Sequence, residues 1–221
     1  MTRRTFVIAI DGPAASGKSS TAQMVADKLG YLHVDSGSLY RAAAAAMLRQ
    51  EPNPSRWTEQ SVLDAAHPVE LRAARTSFYP VLEGRAIEEE IRGLEVTRNV
   101  SRVAQMPRVR EWVNAKVRET ASARNIVVDG RDMGTVVFPD ADLKIFLVAD
   151  SRARALRRLR QRGTPTSEQI LDDETIRIME RDARDAKQTV PASDAVTIDT
   201  TALTQPEQVA QIVALSEERV R

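Results

Sequence analysis

FVIAIDGPAASGKSS, residues Phe6 to Ser20, is the stretch from which the rest of the chain is read. It opens on a short apolar run, Phe6 to Ile10, of the kind that fills a buried parallel strand. Gly12, Gly17, Lys18 and Ser19 then fit the spacing G-x-x-x-x-G-K-[ST]. Beyond them Ala22, Val25, Ala26 and Leu29 recur as one face of an amphipathic helix, with Gly30 where a C-terminal cap falls. Strand, loop and helix together are the context this motif requires.

The residue types follow from the chemistry. A chain that wraps a polyphosphate must turn successive backbone N–H groups inward, which glycine permits, and the helix behind adds the positive end of its dipole. On that reading Gly12, Pro13, Ala14, Ala15, Ser16, Gly17, Lys18, Ser19 and Ser20 line the phosphates of a nucleotide. Lys18 gives charge to the β and γ phosphates, and Ser19 gives a hydroxyl ligand to Mg²⁺. The loop alone establishes only nucleotide binding, because GTPases, motors and small-molecule kinases share it.

Composition narrows the class. The 221 residues suffice for one sizeable core carrying a smaller insertion. Lys plus Arg is 32 and Asp plus Glu 31, so no charge bias points to nucleic acid or a membrane surface. No cysteine is present, which excludes disulfides and thiolate metal sites. Met1 to Phe6 is too short and polar for a signal peptide, and no apolar run reaches membrane-spanning length. The expectation is a soluble cytoplasmic protein, monomeric, without nucleic-acid or membrane partners.

After the first helix, Tyr31 to Val34 reads as a strand ended by Asp35-Ser36-Gly37, and Ser38 to Arg49 as an alanine-rich helix stopped by the prolines at 52 and 54. Alternating strand and helix predict a parallel sheet covered on both faces. Thr58 to Ala66 reads as a short helix. Val69 to Arg72, Phe78 to Leu82 and Ala86-Ile87 read as short strands, the last two joined by the turn Glu83-Gly84-Arg85. A small antiparallel patch does not belong in a parallel sheet, so roughly Pro52 to Ile91 is expected to be an insertion. Two helices follow, one with Val96, Val100 and Val103 on a face, the other with Val109, Trp112, Val113 and Val117. Ile126 to Val128, Leu143 to Val148 and Ala195 to Ile198 supply three further core strands; Thr204 and Glu207 are spaced as a capping box for the last helix. The division predicted is 1–51 and 96–221 for the core, 52–95 for the inserted subdomain, and a lid at about 152–187.

That lid is arginine-dense, with Arg152, Arg154, Arg157, Arg158, Arg160 and Arg162 before Gly163-Thr164-Pro165, and Arg177, Arg181 and Arg184 after it. A run of this kind is ordinarily a solvated face or a nucleic-acid patch. Here no aromatics are interleaved for base stacking, and a helix hairpin after the fourth core strand is placed to fold over a phosphate chain.

Ligands of open parallel sheets bind beyond the carboxyl ends of the strands. The polar clusters there are Asp35-Ser36-Gly37 with Tyr40 and Arg41, Asp129-Gly130-Arg131-Asp132, and Arg181-Asp182 with Arg184-Asp185. Taken together, DGPAASGKSS, VDSGSLYRA, SRVAQMPRVRE, VVDGRDMGTVVFPDADLKIFL, RDARD and AVTIDTT resemble the bacterial cytidylate kinases, nucleoside monophosphate kinases of the P-loop group, over nearly the whole chain.

The resemblance implies an α/β fold: a P-loop kinase core with a five-stranded parallel sheet flanked by helices, a small inserted monophosphate-binding subdomain and a short arginine-rich lid. It implies transfer of the γ-phosphoryl group of ATP to CMP or dCMP. Ser36, Ser101, Arg110 and Asp132 would surround the cytosine, Arg41 and Arg131 would hold the acceptor phosphate, and Arg181 with Asp185 would reach the sugar. Lys18, Arg131 and, from the lid, Arg157 are the candidate catalytic cations, and Ser19 the metal ligand with Asp35 or Asp129 holding metal-bound water. An aspartate can accept from the exocyclic amine of cytosine, where uracil presents a carbonyl instead. Two arginines on the acceptor phosphate shield the charge that repels the incoming γ-phosphate.

Plainer readings stand beside these. Ser36 or Ser38 caps the following helix; Arg110 is solvated; Arg131 and Asp132 pair with each other; Tyr40 packs. His33 and His67 stand alone, with no metal-ligand spacing, and are given no chemistry. One departure from the family pattern falls after Asp185, where Ala186-Lys187-Gln188-Thr189-Val190-Pro191 lacks an arginine; Lys187 or a lid arginine takes that contact, and lysine offers a point charge in place of a planar fork. The competing classes are another small-molecule P-loop kinase, a GTP switch, for which no N-K-x-D motif is found, and a noncatalytic nucleotide binder that uses the arginine segment on nucleic acid.

Overall fold

A computed structural model describes residues 5–122 and 124–220. The described elements run in the order β1 (Val7–Asp11), α1 (Lys18–Leu29), β2 (Leu32–Asp35), α2 (Ser36–Gln50), α3 (Glu59–Ala66), β3 (Val69–Ala73), β4 (Phe78–Leu82), β5 (Arg85–Ala86), α4 (Leu94–Val103), α5 (Pro107–Thr120), β6 (Ile126–Gly130), β7 (Leu143–Val148), α6 (Ser151–Gln161), α7 (Glu168–Asp185), β8 (Val196–Asp199) and α8 (Gln205–Val220).

Side-chain alternation along β1 decides the layering. Val7 and Ala9 face one side, Ile8 and Ile10 the other, and all are buried, so the strand must be covered on both faces. It sits at the centre of a five-stranded sheet in the order β2-β6-β1-β7-β8, every pair parallel. The face carrying Ile8 and Ile10 packs on α1 and α8 through Ala22, Val25, Ala26, Val209 and Ile212. The other face packs on α2, whose alanines 42–46 are all buried. Alanine there lets the helix lie close on the sheet with further layers behind it.

The segment read as an insertion holds a three-stranded antiparallel sheet β3-β4-β5 preceded by α3, which begins in a full Thr58–Ser61 capping box. It has no core of its own. Val62, Ala65, Ala66, Val69, Leu82, Ile87 and Ile91 join the same apolar cluster as the alanines of α2. The segment read as a lid forms the hairpin α6–α7, closed on Ala155, Leu159, Leu171 and Ile178.

Several local expectations are corrected. β6 continues through Asp129 and Gly130, so Asp129 lies inside the sheet and not in a loop. β5 takes in Arg85 and β8 takes in Asp199. Neither serine caps α2: the N-cap is Asp35, Ser36 Oγ donates to the Asp129 carbonyl at 2.7 Å, and Ser38 Oγ donates to the Asp35 carbonyl at 2.6 Å. Only half of the predicted box at α8 forms, because Thr204 N–H and hydroxyl both donate to the Glu207 carboxylate, at 2.8 and 2.7 Å.

Candidate active site

The loop between β1 and α1 is bent as phosphate binding requires. Gly12, Ala15 and Gly17 have φ of 147°, 58° and 89°. At Gly12 a Cβ would fall 2.2 Å from the Leu147 carbonyl oxygen, so only glycine fits. Lys18 folds back over the loop, its Nζ 2.7 Å from the Pro13 carbonyl and 3.4 Å from Ser16 Oγ. Burial, reinforced by the nearby Arg131 charge, pulls the Lys18 pKa down to about 7.

Asp129 organises the end of the loop. Ser19 Oγ donates to its Oδ2 at 2.7 Å, and His33 Nε2 lies 2.7 Å from its Oδ1. Register places Asp35 beside it on β2, and burial followed by the Asp129 charge raises the Asp35 pKa. His33 therefore does not stand alone, contrary to the sequence reading. Burial opposes its protonation, but the hydrogen bond and charge of Asp129, with Asp35 and Asp27 beyond, outweigh that and leave its pKa above the ordinary histidine value. Its other ring nitrogen is 3.0 Å from Gln23 Oε1.

Asp11, the last residue of β1, is a buried carboxylate beside the loop that the sequence reading passed over. Its two carboxylate oxygens accept the backbone N–H groups of Met133 and Gly134 at 2.8 and 2.7 Å. These bonds pull its pKa down, yet burial prevails and brings it up to about 6. They pin a single wide turn, Met133–Val137, in which Phe138 N–H reaches the Met133 carbonyl at 2.7 Å. Such wide turns concentrate at functional sites. Arg131 and Asp132 immediately precede it.

Those two residues do not pair with each other. Arg131 reaches Asp185 of the lid at 3.2 Å and the Gly12 carbonyl at 3.2 Å. Asp132 turns the other way and is bound by Arg110, whose second nitrogen donates to the Ala104 carbonyl at 3.0 Å. The Arg110 guanidinium also lies 5.7 Å from the Tyr40 ring centre. The buried Tyr40 hydroxyl lacks a hydrogen-bond partner. Arg110 is thus held by three groups and is not a solvated side chain.

Arg41 donates to Thr97 Oγ1 at 3.3 Å, and Arg181 Nε is 3.6 Å from Asp185. Burial lowers the pKa of both, and that of Arg181 falls to about 10 with Arg131 as the next cause. After burial, the Arg131 charge bears on Lys18, Arg41 and Arg181 alike, so these cations form one group, an arrangement an anion relieves.

Two expected residues stay outside this group. Ser101 is half-buried on α4 and no hydrogen bond ties it to Asp132. Arg157 donates to Thr200 Oγ1 at 3.1 Å and to the Thr200 carbonyl, just beyond β8. A lid residue the reading did not single out, Arg154, does reach the loop: it donates to the Ala14 carbonyl at 2.9 Å and to Asp182 at 2.6 Å. Lys187 is exposed beyond α7.

The family model described as cytidylate kinase matches residues 8–218 of the chain. A cytidylate kinase of Bordetella bronchiseptica is 45% identical over 202 residues, covering 90% of this chain and 89% of that one. One from Ligilactobacillus salivarius is 40% identical over 221 residues, 96% of each. Among solved structures, a gluconokinase from Sinorhizobium meliloti 1021 superposes with a TM-score of 0.51 at 15% identity, over 98% of this chain and 95% of that one, which is a likeness of fold.

Proposed function

The chain belongs to the cytidylate kinase family, and from that membership and the site we infer how it works. It is an ATP-dependent kinase that transfers the γ-phosphoryl group to CMP or dCMP, giving CDP or dCDP and ADP.

The roles proposed for individual residues rest chiefly on one observation: Arg131 and Asp132 are adjacent in sequence but turned to opposite tasks. Arg131 bridges the phosphate loop and the lid, where a cation touches both the donor and the acceptor phosphate. Asp132, oriented by Arg110 above Tyr40, offers a carboxylate to the amine edge of cytosine; uracil would leave that carboxylate facing a carbonyl. Arg41 takes the acceptor phosphate, Arg181 and Asp185 the sugar, and Ser36 and Ser101 the rim of the base pocket. Lys18 draws charge from the donor phosphates. No general base is assigned, since phosphoryl transfer is governed by positioning and electrostatics.

The donor set also suits Mg²⁺, a hard cation. Ser19 offers a hydroxyl and Asp129, beside Asp35, a carboxylate aimed at it. Among the described residues no three His, Cys, Asp or Glu side chains gather as a metal cage, which fits an ion that keeps its waters and takes phosphate oxygens. When bound, it neutralises charge on the β and γ phosphates. No described helix is long and apolar enough to cross a membrane. A cytoplasmic monomer acting on diffusible nucleotides is our reading of compartment and assembly.

The test is ADP formation from Mg-ATP with CMP, dCMP, UMP, AMP and GMP in parallel. Rapid turnover with CMP and dCMP alone is expected. Rapid turnover with AMP or GMP would discard the cytosine pocket.

A further inference from the structure

The buried face of α7 reads Leu171, Glu174, Ile178: an apolar stripe with a carboxylate in its middle. Glu174 is only 3% exposed and lies among the side chains that close the lid hairpin. A hairpin that needed packing alone would be served by an apolar residue, because a buried carboxylate is tolerated only when it is paired. Glu174 is paired three times over. Arg158 Nε is 3.0 Å away, Arg177 3.3 Å and Arg162 3.6 Å. Three guanidiniums on one carboxylate leave positive charge in excess, and that excess has a direction. Arg158 follows Arg154 by one turn of α6, and Arg154 donates to the Ala14 carbonyl of the phosphate loop at 2.9 Å; Glu174 and Arg181 lie two turns apart on one face of α7. Arg158 thus lies on the side of α6 that meets the phosphate loop, its charge is among those that bear on Arg181, and its neighbour Arg157 is engaged by Thr200.

We propose that Glu174 is a positioning residue for phosphoryl transfer, holding Arg158 toward Arg41 and Arg181 so that Arg158, and not Arg157, is the lid guanidinium presented to the transferring phosphate. This rests on the kinase reading above. Glu174 touches no substrate and acts through Arg158. A carboxylate locked in the lid core fixes the rotamer of a long side chain that would otherwise sample several, and that gain is spent where the transferring group carries most charge.

The experiment is steady-state kinetics on Glu174→Gln, which keeps the shape and removes the charge, on Arg158→Ala, on the double variant and on Arg157→Ala, each with its melting temperature. Glu174→Gln is expected to lower kcat roughly ten- to a hundredfold while KM for ATP moves less than about twofold. Arg158→Ala is expected to lose at least as much, and Glu174→Gln to cost nothing further in the Arg158→Ala background. Arg157→Ala should lose less than Arg158→Ala. The proposal is overturned by wild-type kcat in Glu174→Gln, even if the variant melts earlier, or by an equal further loss in the double variant, since either makes Glu174 part of the hairpin scaffold only. Lys18→Ala separates the two levels. If it is inactive while Glu174→Gln is fully active, only the role of Glu174 falls; if it turns over like wild type, the turnover does not come from the site described above and the role of Glu174 falls with that site.

Discussion

On the reading proposed above, the phosphate loop and the lid both set positive charge around a polyphosphate, but they hold it by different means. In the loop the charge is held largely by backbone: Lys18 leans on the Pro13 carbonyl, the turn is fixed where Gly12 passes against Leu147, and Asp11 ties the next segment through two N–H groups. In the lid most of the guanidiniums are held by carboxylates: Arg154 by Asp182, Arg158 by Glu174, Arg181 by Asp185, and Arg152 by Glu168 and Asp172. The backbone contacts that fix this turn cannot be given up to a ligand while the turn lasts. Carboxylates can be, because a phosphate offers a guanidinium the same forked acceptor. The loop is therefore a site built at folding, and the lid a set of arginines in storage.

The largest effect that would break this contrast is at Lys18. Lys18→Ala should lower kcat by about a hundred- to a thousandfold, the scale for removing one preorganised stabiliser of developing charge. The fold should persist, because in the ligand-free protein that charge is unfavourable. A variant that retains most of its turnover would show the loop lysine to be dispensable.

A second effect concerns pH. The folded pKa of Lys18, about 7, lies below the ordinary lysine value. Its charge thus costs stability in the ligand-free protein below about pH 7, and that cost disappears as pH rises toward the unfolded value. Bound phosphate reverses the shift, so ATP binding should take up a proton above pH 7, and affinity should fall by up to about tenfold per pH unit from there. Calorimetric titration of ATP in buffers of different ionisation enthalpy measures the uptake. A proton balance near zero across that range would contradict the assignment.

The smallest effect is at Lys187, the cation expected where the family pattern has an arginine. It is exposed, so Lys187→Ala should weaken CMP binding by only a fewfold, within the range of an exposed ion pair. An unchanged CMP dissociation constant removes Lys187 from the site and leaves the missing guanidinium to the stored arginines of the lid.

How far the sequence carried the reading follows the same division. Four residues at fixed spacing, with a strand before and a helix after, made the loop legible, and strand alternation with the short turns made the parallel sheet and the antiparallel insertion legible. Arg131, Asp132 and Arg110 were legible through the family motifs; that Arg131 and Asp132 separate, the one to Asp185 and the other to Arg110, was not. His33 looked solitary because its partner is 96 residues away and is brought beside it only by the β2–β6 register. Asp11 was hidden inside the motif as an apparent strand end. Among the lid arginines, composition could not tell Arg154 and Arg158 from Arg157, since which side of α6 meets the core depends on how the hairpin docks. A signal for that docking was present in the apolar positions 171 and 178, with Glu174 interrupting them.

The most direct test of the account measures kcat/KM for CMP and UMP side by side on the wild type and on Asp132→Ala. The account predicts a clear preference for CMP in the wild type that collapses in the variant, by about tenfold or more, as expected when a buried acceptor matched to a donor is removed. A variant that keeps the wild-type ratio of CMP to UMP would contradict it, and would move base recognition away from the Asp132–Arg110–Tyr40 pocket.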